Sequence, residues 1–312
     1  MGCGLDVAGN LLSALGPSFA WLAVGRVLVG LGVGAVFVLA YVLAREQGGV
    51  RLMGILGGST SLGLALSLVV GGLIADIPAW RASFAITGAL GVVALLLVPT
   101  IDLTDRPSPI GRILPLLGRL LRPGTWLVLG VYLAATCTPL VLGVWIVVYL
   151  SADPGGLSPW LAGLFGGLLY FITVLTRPIG GLAGHRSANR WWLPALGLAL
   201  AGGGLAGLAL SRSLGPVIVS VAAIGAGFAL PFATVVDWVA VALADEPATS
   251  LALAQTVGSA VPMAAIPAVG AALHAGAGAA AMGALAAVSL AGALGSARLR
   301  RAPAAAGPEP AG

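Results

Sequence analysis

The chain has 312 residues, of which 59% are hydrophobic and 8% are charged, and its mean hydropathy is +1.07. A soluble globular domain carries roughly 25% charged residues, so this composition excludes that class of protein. All fifteen basic residues are arginine. They lie between apolar runs instead of forming a basic stripe with aromatic residues, which argues against a nucleic acid partner. We therefore expect an integral membrane protein whose main partner is the lipid bilayer.

The apolar residues form ten segments, most of them close to the roughly 20 residues that cross a hydrocarbon core of about 30 Å. These segments are 5–15, 21–44, 52–75, 84–98, 126–150, 157–183, 192–210, 216–244, 251–273 and 276–294, the first being too short to span. Small residues let helices approach closely in lipid, and we expect Gly30 and Gly34 to form one such close-contact pair. The pattern predicts an all-α, polytopic transmembrane bundle of about ten helices.

The longest polar interruption, 100–124, has four segments before it and six after it. We therefore predict an N-terminal bundle (1–99), a central cytoplasmic loop (100–124), a C-terminal six-helix bundle (125–296) and a disordered tail (297–312). Arg112, Arg119 and Arg122 would share one face of a helix in the loop. That piece is either an interfacial helix on an anionic leaflet or a solvated linker.

Arginine placement predicts the orientation. When loops are assigned alternately to two sides, Arg81 and Arg212 lie on one side and eleven arginines on the other. The eleven are Arg45, Arg51, Arg106, Arg112, Arg119, Arg122, Arg186, Arg190, Arg298, Arg300 and Arg301. We expect that side, and with it the C-terminus, to face the cytoplasm at the plasma membrane. The N-terminus is predicted to be neither a cleaved signal nor a lipid anchor, because Asp6 stands where a myristoylation signal has Ser or Thr.

Several motifs follow one another in the chain. Arg26 is followed by Gly30, Gly32 and Gly34, the next segment contains Gly71 and Gly72 and then Asp76, and Trp80, Arg81 and Phe84 open the segment after it. Further on, Arg177, Pro178, Gly180 and Gly181 precede His185 and Arg186. In this order the motifs resemble helices four to six, and the turn between helices eight and nine, of the major facilitator superfamily. At that turn His185 stands where the family has the aspartate of a cytoplasmic charge relay.

The resemblance implies two six-helix halves and secondary transport of a small solute by alternating access. A chain with four helices before the central loop then lacks the first two family helices. A truncated, non-transporting fragment is the alternative interpretation. Drug efflux is a further alternative, disfavoured because Ser67 and Leu68 replace the Gly-Pro pair of drug antiporters.

We expect no enzyme activity, since His185 and His274 lie on opposite sides of the membrane. We also expect no cofactor and no metal ion. Cys3 and Cys137 are expected to stay reduced. A monomer is expected.

Charged side chains inside a bilayer cost several kcal/mol and usually mark a pathway or pair with a partner. Arg26 is a candidate for proton or substrate coupling, or else a buried arginine capped by backbone carbonyl groups. Asp237 is a candidate to carry a coupling proton, or else a hydrated group near the end of its helix. Tyr132, Trp145 and Gln255 are further candidates to face a substrate, although such groups often bond within their own bundle.

Arg177 is the candidate for anion binding. In the nitrate and nitrite porters of the resembled family, an arginine before the double glycine holds the anion, and a guanidinium suits this task because it presents paired donors. The Gly- and Asn-rich signature of those porters is absent from 59–72, and their second arginine would lie in the missing part. The alternative is that the Arg177 side chain extends to the membrane interface.

Overall fold

The computed structural model describes residues 1–74, 80–97, 123–152, 156–187, 190–211, 213–242 and 247–299. These residues form ten α-helices and no strand. In chain order they are α1 (Gly2–Leu15), α2 (Phe19–Ile74), α3 (Arg81–Leu97), α4 (Pro123–Ser151), α5 (Pro159–Arg186), α6 (Trp192–Leu210), α7 (Leu214–Ala229), α8 (Phe232–Ala242), α9 (Pro247–His274) and α10 (Gly278–Leu299).

The long element α2 is two membrane segments joined at Gly49, whose φ of 57° and ψ of −150° break the helix. Glycine tolerates this positive φ because it has no Cβ. Tyr41, eight residues before the break, makes an edge-to-face contact with the ring of Phe232, and Gly57, eight residues after it, packs against the same ring. A straight helix would separate these positions by about 24 Å, so the chain folds back at Gly49. We call residues 19–48 and 50–74 the first and second arms of α2.

Pro231 separates α7 from α8, because proline lacks the N–H that would continue the helical hydrogen bonds. Together these two helices form one apolar stretch, Leu214–Ala242. Pro262 and Pro267 also lie in an apolar segment, but α9 continues through both. With two arms in α2 and with α7 and α8 joined, the helices correspond to the ten predicted segments, four before 98–122 and six after it. The predicted fold class is confirmed.

Helix α1 packs on the first arm of α2 through glycines spaced seven residues apart on each helix. A methyl group added to Gly9 would touch the carbonyl oxygen of Gly25, and one added to Gly32 would lie 2.8 Å from the amide nitrogen of Asp6. Gly30 and Gly34, which we expected to form the close contact, have no neighbour within 4 Å among the described residues. The expectation was wrong because Gly32 faces α1, and Gly30 and Gly34 are each rotated about 200° around the helix from Gly32, so they face away from α1.

The second arm of α2 packs along α5, again through glycines. A methyl group added to Gly181 would lie 3.0 Å from the Cα of Gly54, and one added to Gly58 would lie 3.0 Å from the carbonyl oxygen of Val174. On another face of α5, Gly180 abuts the backbone of Leu230. We expected a turn at Gly180 and Gly181, but α5 continues to Arg186, so these glycines serve close packing between helices.

Some sequence-based expectations lie outside the described residues. They include most of the loop at 100–124, with its three arginines on one helical face, Asp76 and the tail after residue 299. Gly71 and Gly72 lie in the second arm, and Gly71 has no neighbour within 4 Å among the described residues.

Candidate substrate and coupling sites

Arg177 projects from α5 across to the second arm of α2. Its Nη1 donates hydrogen bonds to the carbonyl oxygen of Gly57 at 2.7 Å and to Oγ1 of Thr60 at 3.0 Å. Its Cζ lies 4.0 Å from the centroid of the Phe232 ring on α8, a cation–π contact. The residue is only 9% exposed, because the side chain packs between these helices. We call Arg177, Tyr41, Thr60 and Phe232 the Arg177 site.

The Arg177 site retains polar groups without partners. Nε of Arg177 and the hydroxyl group of Tyr41 are both buried and make no hydrogen bond to any of the described residues. No carboxylate of the described residues forms an ion pair with the guanidinium. A buried charge is costly unless it is paired, and a buried donor without an acceptor costs about 1–3 kcal/mol. The arrangement offers donors to an additional acceptor, and an anion would also supply the missing charge.

Arg26 donates several hydrogen bonds to side chains of α1. Its Nη2 donates to Oδ1 of Asn10 at 2.9 Å and to Oγ of Ser13 at 2.8 Å, and its Nε donates to the same Ser13 oxygen at 3.1 Å. Its Cζ lies 4.5 Å from the centroid of the Phe84 ring on α3. Asn10 in turn donates to Oδ1 of Asp6 at 3.1 Å. We call Asp6, Asn10, Ser13 and Arg26 the Arg26 network; side chains, and not the expected carbonyl groups, cap the arginine.

Asp237 lies on α8 and binds two arginines at once. Its Oδ1 is 2.9 Å from Nε of Arg45 on the first arm of α2, and its Oδ2 is 2.9 Å from Nη1 of Arg190, before α6. These three residues, the Asp237 cluster, line a cavity of about 280 Å³ with Gly49, Val50 and His185. The side chain of Asp237 is 15% exposed and those of its partners are 28% and 32% exposed. The Arg45–Asp237 ion pair joins α2, which precedes the central loop, to α8, which follows it.

The three remaining candidates link α4 to α9. Tyr132 donates to Oε1 of Gln255 at 3.2 Å, and Nε1 of Trp145 donates to the carbonyl oxygen of Ile266 at 2.8 Å. The Trp145 ring also packs on Gly270. These two hydrogen bonds join α4 to α9 within the bundle that follows the central loop.

A second cavity, of about 650 Å³, lies between α6 and α7, away from all three charged groups of residues. Its lining is almost wholly small or aliphatic, with Ser220 as the one hydroxyl-bearing residue. It offers an ionic or polar solute no charge partner. No group of metal-ligating side chains occurs among the described residues.

Several residues of these sites escaped the sequence reasoning. Asp6 was considered only in connection with lipid attachment, and Asn10, Tyr41, Thr60 and Phe232 were not considered at all. Asp6 and Asn10 had a visible signal, because a charged or amide side chain in an apolar segment needs a partner. The others had none, since each acquires its role only from contacts between helices far apart in the chain.

Comparison with known proteins agrees with this architecture. The fold is similar to that of the Escherichia coli fucose:proton symporter FucP (N162A), with a TM-score of 0.64 and 15% sequence identity over 96% of this chain and 84% of that one. At this identity the likeness concerns the fold alone.

Among curated proteins, the chain is 26% identical over 199 residues to the uncharacterized MFS-type transporter YbcL of Bacillus subtilis, which covers 61% of this chain and 49% of that protein. It is 36% identical over 94 residues to YfhI, another uncharacterized MFS-type transporter of B. subtilis, covering 29% and 24% respectively. The chain therefore spans half or less of the length of these relatives. The sequence profile of the Major Facilitator Superfamily matches residues 2–267. The chain belongs to the major facilitator superfamily of membrane transporters.

Proposed function

We propose that the chain is a secondary transporter that binds a small anion at the Arg177 site and moves it by alternating access. The observation that carries this proposal is the buried guanidinium of Arg177, which has no carboxylate partner among the described residues and keeps an unbonded Nε. An anion beside Nε and the Tyr41 hydroxyl group would supply both a charge and an acceptor. Since hydrogen bonds to charged groups contribute about 1.5–3 kcal/mol, these donors suffice for measurable binding.

The position of the Arg177 site supports a transport role. Tyr41 and Thr60 come from the two arms of α2, before the central loop, whereas Arg177 and Phe232 come from α5 and α8, after it. A ligand between two bundles binds their open and closed arrangements with different affinity, which is what alternating access requires. We propose two bundles, 1–99 and 125–296, in a monomer whose C-terminus is cytoplasmic at the plasma membrane. The excess of arginines on one side supports that orientation.

The test is binding to the purified full chain. Nitrate, chloride, phosphate and small carboxylates are compared with neutral sugars and cationic drugs by thermal shift and calorimetry in detergent. We expect an anion to bind, Arg177→Gln to weaken this binding strongly, and Tyr41→Phe to weaken it less. Size-exclusion chromatography checks that each variant remains folded.

Binding of a cationic drug that survives Arg177→Gln, with no response to any anion, would refute the anion proposal and favour efflux. Flux of the bound anion in proteoliposomes then separates a transporter from a non-transporting fragment. A chain that binds the anion but carries no flux would overturn the transport part of the proposal only.

A further inference from the structure

Asp6 lies about one turn inside α1 and packs against the first arm of α2 and against α3. The backbone of Asp6 on α1 touches Gly32 in the first arm of α2. Gly32 is 13 residues beyond Phe19, where the arm begins, a distance of roughly 20 Å at about 1.5 Å per residue. A hydrocarbon core is about 30 Å thick, so a point about 20 Å along the arm lies within the membrane-spanning part of the helix.

The partners of this carboxyl group are neutral. Oδ1 accepts one hydrogen bond from the Asn10 amide, and Oδ2 lies against α3, where a methyl group added to Gly91 would be 3.0 Å away. Arg26 on α2 donates to the far side of that amide, so its charge acts on Asp6 across the Asn10 side chain without forming an ion pair. Within the described residues, Asp6 has no ion-pair partner.

The other titratable or charged groups on the packed helices are few. Cys3 lies one turn before Asp6 on α1, and Arg81 on α3 donates to the carbonyl oxygen of Gly16 at the far end of α1. On α2, Arg26 is the charged group that faces α1. Asp237 contrasts with Asp6, since it has two guanidinium partners at 2.9 Å. A carboxylate paired in this way suits a permanent ion cluster better than proton exchange.

We infer that Asp6 is the binding site for a coupling proton, which rests on the proposed transport function. A carboxylate held at this depth with one amide donor gains from becoming a neutral acid, because an ionised group in hydrocarbon costs several kcal/mol. One proton adds to the carboxylate from one side of the membrane and one leaves to the other. When Asp6 is neutral, Asn10 no longer joins Arg26 to a negative charge, so proton binding changes how tightly α1 is held on α2.

Infrared spectroscopy of the full chain in lipid tests the site directly. We expect the stretching band of a protonated carboxyl group to grow as the pH falls, to vanish in Asp6→Asn, and to reappear at a shifted frequency in Asp6→Glu. Asp237→Asn is the matched control and should leave the band unchanged. Loss of the band in Asp237→Asn, or its persistence in Asp6→Asn, would overturn the inference.

Transport in proteoliposomes gives the second readout. In Asp6→Asn, anion uptake driven by a proton gradient should fall to the level measured without a gradient, whereas exchange of labelled for unlabelled anion should persist. Gradient-driven uptake that survives in Asp6→Asn would refute the proton site and leave anion binding at Arg177 intact. If the wild-type chain shows neither uptake nor exchange, the transport function fails, and with it the coupling role, although the infrared result still decides whether Asp6 binds a proton.

Discussion

Arg26 and Arg177 are alike in sequence, since each lies about two turns inside an apolar helix, but their surroundings differ. Arg26 is enclosed by side chains of the first three helices, and Asn10 and Ser13 accept its hydrogen bonds. Arg177 lies between α2, which precedes the central loop, and α8, which follows it. Its Nε makes no hydrogen bond within the part of the chain that the structure describes. We therefore propose that Arg26 has a structural role and Arg177 a functional one, because the described residues accept hydrogen bonds from Nε of Arg26 but not from Nε of Arg177.

The largest expected effect separates the two arginines by anion binding. Arg177→Met removes the charge and the free donor, so we expect affinity for the anion found in the binding screen to fall about 100-fold, or about 3 kcal/mol. Arg26→Met, the matched control, leaves the Arg177 site untouched and should keep the wild-type affinity. Calorimetry on both variants measures the difference. Equal losses would show that the distinction between the two arginines is false.

The next effect concerns stability, for which we expect the larger loss in Arg26→Met and the smaller loss in Arg177→Met. Arg26→Met leaves Oδ1 of Asn10 without its donor, and we expect a loss of about 2 kcal/mol in the free energy of unfolding. Arg177→Met should cost less than about 1 kcal/mol, because an apolar side chain of similar size removes a buried charge that lacks an ionic partner. Unfolding in mixed micelles, monitored by tryptophan fluorescence, gives both values. A larger loss for Arg177→Met than for Arg26→Met would contradict the comparison.

A smaller effect concerns the close packing of α1 on the first arm of α2, which brings the residues of the Arg26 network together. Gly32→Ala places a methyl group 2.8 Å from the backbone nitrogen of Asp6, so the helices must separate, at a cost of about 1.5 kcal/mol. The control is Gly30→Ala, which meets nothing within 4 Å and should stabilise the helix by up to about 1 kcal/mol. Thermal unfolding of the two variants should shift in opposite directions. Shifts of the same sign would place α1 on another face of the arm.

The smallest effect concerns the Asp237 cluster, the other charged link between segments before and after the central loop. Asp237→Asn removes two ion pairs whose members are partly exposed, so we expect a loss of only about 1 kcal/mol. High salt should diminish the difference between Asp237→Asn and the wild type, because screening weakens exposed pairs. Unfolding measured at low and high salt tests this. A loss independent of salt would mean that Asp237 is more enclosed than its contacts with Arg45 and Arg190 indicate.

Much of the fold followed from local patterns. The apolar runs predicted the helices, because the length and hydropathy of a membrane-spanning segment are local properties of the chain. The face of a helix that packs was harder to predict: Gly30, Gly32 and Gly34 look equivalent in sequence, yet only Gly32 meets α1. Asp237 pairs with Arg45, 192 residues away in the chain, and with Arg190, 47 residues away. A periodic pattern of residues cannot predict contacts between helices so far apart in the sequence.

The most direct test of the account is to locate a bound anion. Crystals of the full chain soaked in bromide, and separately in iodate, give anomalous scattering that marks each ion. We predict a peak within hydrogen-bonding distance of Nε of Arg177 and the Tyr41 hydroxyl group, and its absence from crystals of Arg177→Met. Anomalous peaks confined to the Arg26 network or the Asp237 cluster, with none beside Arg177, would contradict it.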